Sequence, residues 1–423
     1  MKVSSGSRVA PHFPIIIVGA GIVGLSVALA LSTRARDVAL IDPEPPGSQT
    51  SWGNMGALAF GEVLPLARPD VIRQAGRWLL DRRGPVVISP RHLGALCGWL
   101  RRFIFSAFDG NSPKRVEALR RLNALALAEW ERSLSAIGLW NRCEADRVLH
   151  VYDTTEAMSK DAPLWEIRRA AGHENYPLDK NALRHAEPAL GGGFAGAMAS
   201  PTWRLTPDPF LVSKTIESRL IASGVTFLTD RAHSITPMTD RIAVRCETAE
   251  LTCDHLVVAA GVHSADLARQ TGDAMPLVAE RGYSLTLSSP LVRSNNYLVF
   301  RQHGFVVAPL AGGLRIGGSA EFVPARQAPD WRRLDLLVEK AKRFLPDLNP
   351  SDGIRWYGDR PSTPDSLPVI GPSRRDRRVL YAFGHGHLGL TQAAATGAII
   401  RDLIAGNIPA IDVAPYSSAR FNR

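Results

Sequence analysis

A chain of 423 residues, 45% of them hydrophobic, is long enough for two or three domains and too apolar to remain disordered. With 50 Lys and Arg against 40 Asp and Glu, the formal charge is +10. That balance favours an anionic partner: an acidic substrate, a phosphate-bearing cofactor, an anionic membrane face or nucleic acid. The cysteines Cys97, Cys143, Cys246 and Cys253 are scattered without metal-type spacing, which fits a reducing compartment and a cytoplasmic location.

The first eight residues are polar and expected to fray. From Phe13 to Thr33 no charged residue occurs, long enough to imitate a membrane span or a signal peptide. Glycines punctuate the run, so a strand, a tight turn and a helix explain the same composition. Gly19, Gly21 and Gly24 stand in G-x-G-x-x-G spacing, after the β-branched run Ile15 to Val18 and before an Ala/Leu-rich helix. Gly19 permits the turn, Gly21 lets the backbone approach a pyrophosphate, and Gly24 lets helix and strand pack closely. Ile22 and Val23 open the helix, whose N-terminus favours phosphate. A second strand, "DVALID", ends at Asp42, placed to accept hydrogen bonds from ribose hydroxyls. The motif predicts a dinucleotide.

Further along, Trp78 to Phe108 mixes aromatics with arginines. It reads either as a membrane- or quinone-facing surface or as two helices packed on a substrate domain. A helix over 209–222 leads through Val225 into the strand "GVTFLTD", and Leu251 to Ala268 is a strand ending in Ala259, Ala260 and Gly261, then a helix. A sheet that is interrupted and then resumed suits a discontinuous FAD domain. "AERGYSLTLSSP" and "NYLVFRQHGFVVAPLAGGLRIGGSAEF" alternate like antiparallel strands, with Tyr283, Tyr297 and His303 as pocket candidates. In "GDRPSTPDSLPVIGP" three prolines within the first eleven residues nearly exclude a helix, and Arg360 stands in what reads as a rigid turn. A fixed guanidinium suits a carboxylate held in one orientation; a surface arginine is the plain alternative. "RRDRR" (Arg374 to Arg378) reads as a solvated turn. Near the C-terminus, the strand Val379 to Phe383 enters a loop containing Gly384, Gly386 and Gly389, and a helix starts near Thr391 and ends before Gly406. Such a helix N-terminus would stabilise negative charge on a reduced flavin. The two clustered histidines lack the carboxylate or thiolate of a metal shell, so no metal is expected.

Four stretches, "IIIVGAGIVGLSVALALS", "SQTSWGNMGALAFGEVLPLARP", "RPSTPDSLPVIGP" and "AFGHGHLGLTQAAATG", occur in one order over nearly the whole chain. Together they resemble the FAD-dependent D-amino acid dehydrogenase family, within the glycine oxidase and D-amino acid oxidase superfamily. The resemblance implies an α/β fold: a Rossmann-like FAD-binding domain interleaved with an α+β substrate domain on an antiparallel sheet. Residues 1–65, 206–272 and 354–423 would form the FAD domain, and 66–205 and 273–353 the substrate domain. The cofactor set implied or read from the motifs is Gly19, Gly21, Ile22, Val23, Gly24, Asp42, Thr50, Ser51, Gly53, Asn54, Gly56, Val225, Ala260, Gly261, Gly384, His385, Gly386, His387, Leu388, Gly389 and Thr391. Many relatives carry Glu where this chain has Asp42.

Arg360 matches the arginine that binds the substrate carboxylate in amino-acid oxidases of this superfamily, and Tyr283 is set beside it as a second catalytic candidate. The implied reaction is hydride transfer from Cα of a D-amino acid, of D-proline or hydroxy-D-proline type, to flavin N5. Electrons would pass to a quinone or other acceptor, with peripheral contact at the inner membrane. No side-chain base is assigned; His385 and His387 read as loop residues. A glycine, sarcosine or other secondary-amine oxidase is the alternative on the same fold. A flavin-bearing nucleic-acid or partner-binding module is the alternative from another class.

Overall fold

The uncharged run at the N-terminus resolves into the strand His12–Val18 and the helix Ile22–Ala30. Among the described residues no helix is long and apolar enough to cross a membrane. The computed structural model describes residues 10–80, 84–288, 291–324 and 327–421. The first eight residues lie outside these, as do residues 81–83 of the arginine-rich stretch.

His12–Val18 runs parallel to Val38–Asp42 on one side and to Glu250–Val258 on the other. Ile15, Ile16 and Ile17 have no exposed surface, because both faces of the sheet are covered; hence the run is apolar without alternation. Ile15 and Ile17 pack with Leu25, Val212, Ile216 and Ile399, side chains of the helices Ile22–Ala30, Pro209–Ser223 and Gly389–Ile404. Ile16 and Val18 join Ile41, Val244 and Leu267 on the opposite face. Thr226–Thr229 adds outside Val38–Asp42, and Val379–Phe383 lies parallel beside Glu250–Val258. The sheet therefore breaks off at Asp42 and resumes more than 180 positions later, as expected. The first and last helices meet closely: a Cβ on Gly397 would stand 2.5 Å from the Ser26 carbonyl oxygen.

A nine-stranded, largely antiparallel sheet is built around Val278–Leu287, all ten of whose residues are buried. Its neighbours are Ile354–Ser362 and Gly313–Val323, followed outward by Phe305–Leu310, Tyr297–Phe300 and Val148–Tyr152, the last pair parallel. One face, carrying Val148, Tyr297, Ala308 and Leu310, packs with Leu58 and Phe60 of the dinucleotide unit. The other, carrying Leu149, Tyr283, Leu285, Leu298 and Phe305, is closed by Leu334, Leu337 and Ala341 of the helix Arg332–Phe344.

One stretch lies elsewhere than expected. Residues 354–362, grouped from the sequence with the dinucleotide unit, pair with Val278–Leu287 in the second sheet. Arg360 and Pro361 are therefore on a strand and not in a turn. Pro361 is tolerated because this strand forms the edge of the sheet. The RRDRR segment does form the connection between the strands Val369–Pro372 and Val379–Phe383, with Arg374, Arg375 and Arg377 exposed.

Candidate active site

The glycine turn is dictated by close approach. Gly19 has φ 109°, and a Cβ there would lie 2.3 Å from the Ala259 carbonyl oxygen. A Cβ on Gly24 would lie 1.9 Å from the Gly19 carbonyl oxygen. Gly21, by contrast, faces open space; its nearest neighbour would be Ser51 Oγ at 3.5 Å. The first intrahelical bond runs from the Leu25 N–H to the Gly21 carbonyl, so the earlier N–H groups have no helical partner. Ser51 Oγ accepts the Ile22 N–H at 3.0 Å. Asp42 accepts the Ala20 N–H at 2.7 Å and the Glu44 N–H at 2.9 Å. Burial raises its pKa, and those two N–H groups oppose the rise. Ala260 and Gly261 close the turn from the end of the neighbouring strand. An open cradle at Gly21, a helix N-terminus with unused donors and an acid at the strand end fit a dinucleotide pyrophosphate and ribose.

Residues 50–56 run from this cradle to the underside of the second sheet. Thr50 Oγ1 donates to the Asp359 carbonyl at 3.0 Å. The buried Arg315 guanidinium donates to the carbonyls of Trp52 (3.1 Å) and Asn54 (2.6 Å). Asn54 Oδ1 accepts the Gly56 N–H at 2.9 Å, and Gly53 is tight against the Trp356 ring. Arg315 and Trp356 were not singled out by sequence reasoning. A charge within the alternating strand "GLRIGGSAEF" was the available signal, since a buried guanidinium must have acceptors.

The glycine-rich C-terminal loop lies against the same region. Ser362 and His385 form an isolated β-bridge, and the helix Gly389–Ile404 starts without a side-chain cap. Thr391 Oγ1 accepts the Ala59 N–H at 2.9 Å. His385 is buried, with Nε2 2.9 Å from Thr396 Oγ1. Thr396 already donates to the Gln392 carbonyl, so Nε2 is the protonated nitrogen. Burial pushes the His385 pKa down to about 3, so the ring is neutral at physiological pH. His387 is exposed. Burial works to raise the Glu62 pKa, but Arg168, 2.9 Å away, and more weakly Arg301 hold that carboxyl below the ordinary range.

Arg360 stands directly across the ladder from Glu280. Its Nη1 donates to Glu280 Oε1 at 3.0 Å and to the Ser319 carbonyl at 3.3 Å. Ser362 Oγ donates to the other Glu280 oxygen at 2.7 Å. Among the described residues no acceptor is bonded to Nη2 or Nε of Arg360. Gly282 makes this pose possible: a Cβ there would lie 2.1 Å from Arg360 Nη2. Glu280 and Ser362 line a narrow cleft that opens to solvent. Its other walls include Leu64, Trp99, Phe103, Phe322 and the loop from Gly384 to Leu388. Trp99 Nε1 donates to the Ser362 carbonyl at 3.0 Å. Glu280 is the residue that sequence reasoning missed here. Two adjacent charges, Glu280 and Arg281, inside a buried strand were the signal.

The three pocket candidates separate by face. Tyr283 points to the outer core, away from Arg360; its hydroxyl donates to Glu321 at 2.6 Å and accepts the Asp330 N–H at 3.0 Å. The expectation that it sits beside Arg360 is therefore corrected, the cause being plain strand alternation: Tyr283 stands three positions after Glu280, Arg360's partner, and so on the opposite face. His303 pairs with Asp153 at 2.8 Å and packs on Phe344, also on the outer side. Tyr297 alone faces inward. Burial raises its hydroxyl pKa, and the charge of Arg360 works against the rise. Val225 is corrected as well. The register of Thr226–Thr229 against Val38–Asp42 sets it at the opposite end of the strand from Asp42, inside the core.

Fold and site together define a dinucleotide-dependent oxidoreductase, with a split cofactor sheet roofed by an antiparallel one. The pattern of the DAO family, described as FAD dependent oxidoreductase, matches residues 14–403, and the chain belongs to that family. Over 415 residues it is 31% identical to the D-amino-acid oxidase of Bradyrhizobium diazoefficiens, covering 96% of this chain and 98% of the relative. It is 32% identical to D-amino acid dehydrogenase 2 of Ralstonia nicotianae, covering 96% and 100%. Among solved structures, glycine oxidase from Geobacillus kaustophilus superposes with a TM-score of 0.71 at 20% identity, covering 97% of this chain and 99% of that one. L-Proline dehydrogenase from P. horikoshii gives 0.73 at 17%, covering 98% and 99%. These two likenesses carry the fold. The cofactor is FAD, and the glycine cradle fits its pyrophosphate.

Proposed function

We propose that the protein oxidises a D-amino acid to the imino acid, with Arg360 holding the substrate carboxylate. One observation carries this reading. Arg360 is pinned through Nη1 and, among the described residues, has no acceptor on its Nε–Nη2 edge, while its partner Glu280 lines a cleft walled by the Gly384–Leu388 loop. A guanidinium edge is matched in shape and charge to a carboxylate. Holding the carboxylate orients Cα–H, which is a proximity effect. FAD, held by the Gly19–Gly24 turn, Asp42 and residues 50–56, would supply the two-electron acceptor for the hydride that leaves Cα as the amine lone pair closes the C=N bond. The amine must be neutral for this, and solvent at the open mouth takes its proton. His385 is a weak base, because burial lowers its pKa to about 3.

The remaining cofactor contacts fall to Gly19, Gly21, Ile22, Val23, Gly24 and Asp42 at the ADP end. Thr50, Ser51, Gly53, Asn54 and Gly56 run along the middle, and Gly384 to Thr391 lie at the flavin end. This grouping makes residues 1–65, 206–272 and 363–423 the FAD unit, with the second sheet as the substrate unit. The wording "RPSTPDSLPVIG" and "AFGHGHLGLTQ" and the aromatic walls of the cleft favour a compact ring such as D-proline or hydroxy-D-proline. We assign a quinone as electron acceptor. The helix Leu93–Phe108, which exposes Leu93, Ile104, Phe105 and Phe108, is the face for peripheral membrane contact.

Anaerobic addition of D-proline, cis-4-hydroxy-D-proline, D-alanine and their L-forms, with glycine and sarcosine, to the yellow holoprotein tests the substrate. Bleaching by the D-forms is expected. Bleaching by glycine or sarcosine alone would overturn the assignment. Reoxidation by a soluble quinone, with slow oxygen consumption, is the result expected for the acceptor.

A further inference from the structure

We propose that Glu280 is the amine anchor of the cleft, so that the site receives a zwitterion and rejects a simple carboxylate. The inference rests on the amino-acid reading above and adds a second contact to it.

Glu280 is out of place if the site only binds an anion. Its side chain is 6% exposed, directly beside the guanidinium that has to attract the substrate. The pair is neutral overall, so a lone carboxylate arriving at Arg360 is repelled by Glu280 at short range. A ligand that brings its own positive charge turns that repulsion into attraction. The geometry suits such a ligand. A carboxylate has about four acceptor positions. Arg360 Nη1 and Ser362 Oγ each occupy one, and Glu280 lines the cleft. Ser362 fixes the plane of the carboxylate, and Arg281, the neighbouring cation in the strand, is committed to Asp359 on the opposite face. The unused Arg360 edge and the unused Glu280 positions belong to one cross-strand pair. An α-amino acid, whose charged groups are separated by one carbon, spans such a pair. With two substituents of Cα fixed, one hand of the substrate presents its Cα–H and the other its side chain. Glu280 thus contributes to enantiomer choice as well as affinity.

The test uses two inert probes of matching shape, 2-aminoisobutyrate and pivalate. They differ by an amine in place of a methyl group, and neither has a Cα–H to lose. Binding is read by isothermal titration of the holoprotein. The wild-type chain is expected to prefer 2-aminoisobutyrate by about ten-fold or more, the usual size of a charged hydrogen bond. Glu280→Gln keeps the shape and removes the charge. It should weaken 2-aminoisobutyrate about ten-fold and tighten pivalate, reversing the preference, while Glu280→Asp restores it in part. Ser362→Ala should narrow the preference without reversing it, and it carries the comparison should the Gln variant fail to fold. An unchanged probe ratio in Glu280→Gln, or in Ser362→Ala in its place, overturns the proposal, as does equal affinity of the wild-type chain for both probes. Arg360→Leu separates the two readings. Loss of both probes supports the carboxylate clamp. Wild-type affinity for both removes that clamp, while the ratio still reports on Glu280. If neither probe binds the wild-type chain, both readings fall.

Discussion

Two tyrosines fourteen positions apart in sequence, Tyr283 and Tyr297, end on opposite faces of one sheet. Their hydroxyls are consequently in different chemistry. That of Tyr283 is committed to Glu321 in a dry core, whereas that of Tyr297 has no hydrogen-bond partner among the described residues and lies within reach of the Arg360 field. With Arg360 as the proposed carboxylate clamp, the Tyr297→Phe variant is expected to raise KM about ten-fold or more, with the fold intact, the size of one hydrogen bond to a charged group. Tyr283→Phe should leave KM alone and lower stability by about 1–3 kcal/mol, the cost of stranding buried partners. Steady-state kinetics and urea midpoints on the same two variants decide it. A KM effect confined to Tyr283→Phe would reverse the facial assignment.

At the scale of the element, the strand Ile354–Ser362 is locked by two ion pairs on opposite faces. Arg360 meets Glu280 on the inner face, and Asp359 meets Arg281 through bonds of 2.7 and 3.0 Å on the outer one. A slip of one residue would set Arg360 opposite Arg281, so the outer pair fixes the register of the inner one. Asp359→Ala strands a guanidinium that is 1% exposed. It should cost about 3–5 kcal/mol, read as a lowered denaturation midpoint, together with weaker substrate binding at a distance. A variant as stable as the parent would show that Arg281 finds another acceptor.

The same element shows why sequence reasoning stopped where it did. The glycine turn at Gly19 to Gly24 was legible because its spacing, strand and helix are all local. Arg360 was singled out from the wording around it, yet its rigidity was credited to prolines, when the hydrogen-bonded ladder supplies it. Glu280 lies 80 positions from Arg360, and no local pattern reports a register across such a gap. Tyr283 failed because its face is set by which strand residue pairs with Arg360, a register no local pattern shows, and Val225 because strand direction decides which end carries ligand.

Across the whole molecule, stability should depend on pH through buried histidines. Burial drives the His385 pKa down to about 3. His150 is also held well below its ordinary value, by burial first and then by Arg301 and Arg168. In the unfolded chain both rings take a proton near pH 6.5; in the folded chain they do not. The unfolded state therefore binds more protons throughout that interval, and stability falls as pH drops below about 6.5. Each unprotonated ring contributes up to about 1.4 kcal/mol per pH unit. Buried carboxylates such as Glu62 act only below their own range, so melting between pH 7.5 and 5 isolates the histidines. His385→Gln should flatten that slope; an unchanged slope would mean that solvent already reaches the ring.

The contact between Gly397 and Ser26 has a consequence for how the protein is made. The helix Ile22–Ala30, which carries the cofactor turn, leans backbone to backbone on a helix near the other end of the chain. During synthesis, Val38–Asp42 and Pro209–Ser223 can pack on this strand and helix early, but the face that meets Gly397 stays uncovered until that residue has emerged. That one face waits for a partner about 370 positions downstream of Ser26, an interval in which aggregation competes with folding. Early FAD capture and chaperone occupancy thus bear on yield more strongly than on the final architecture.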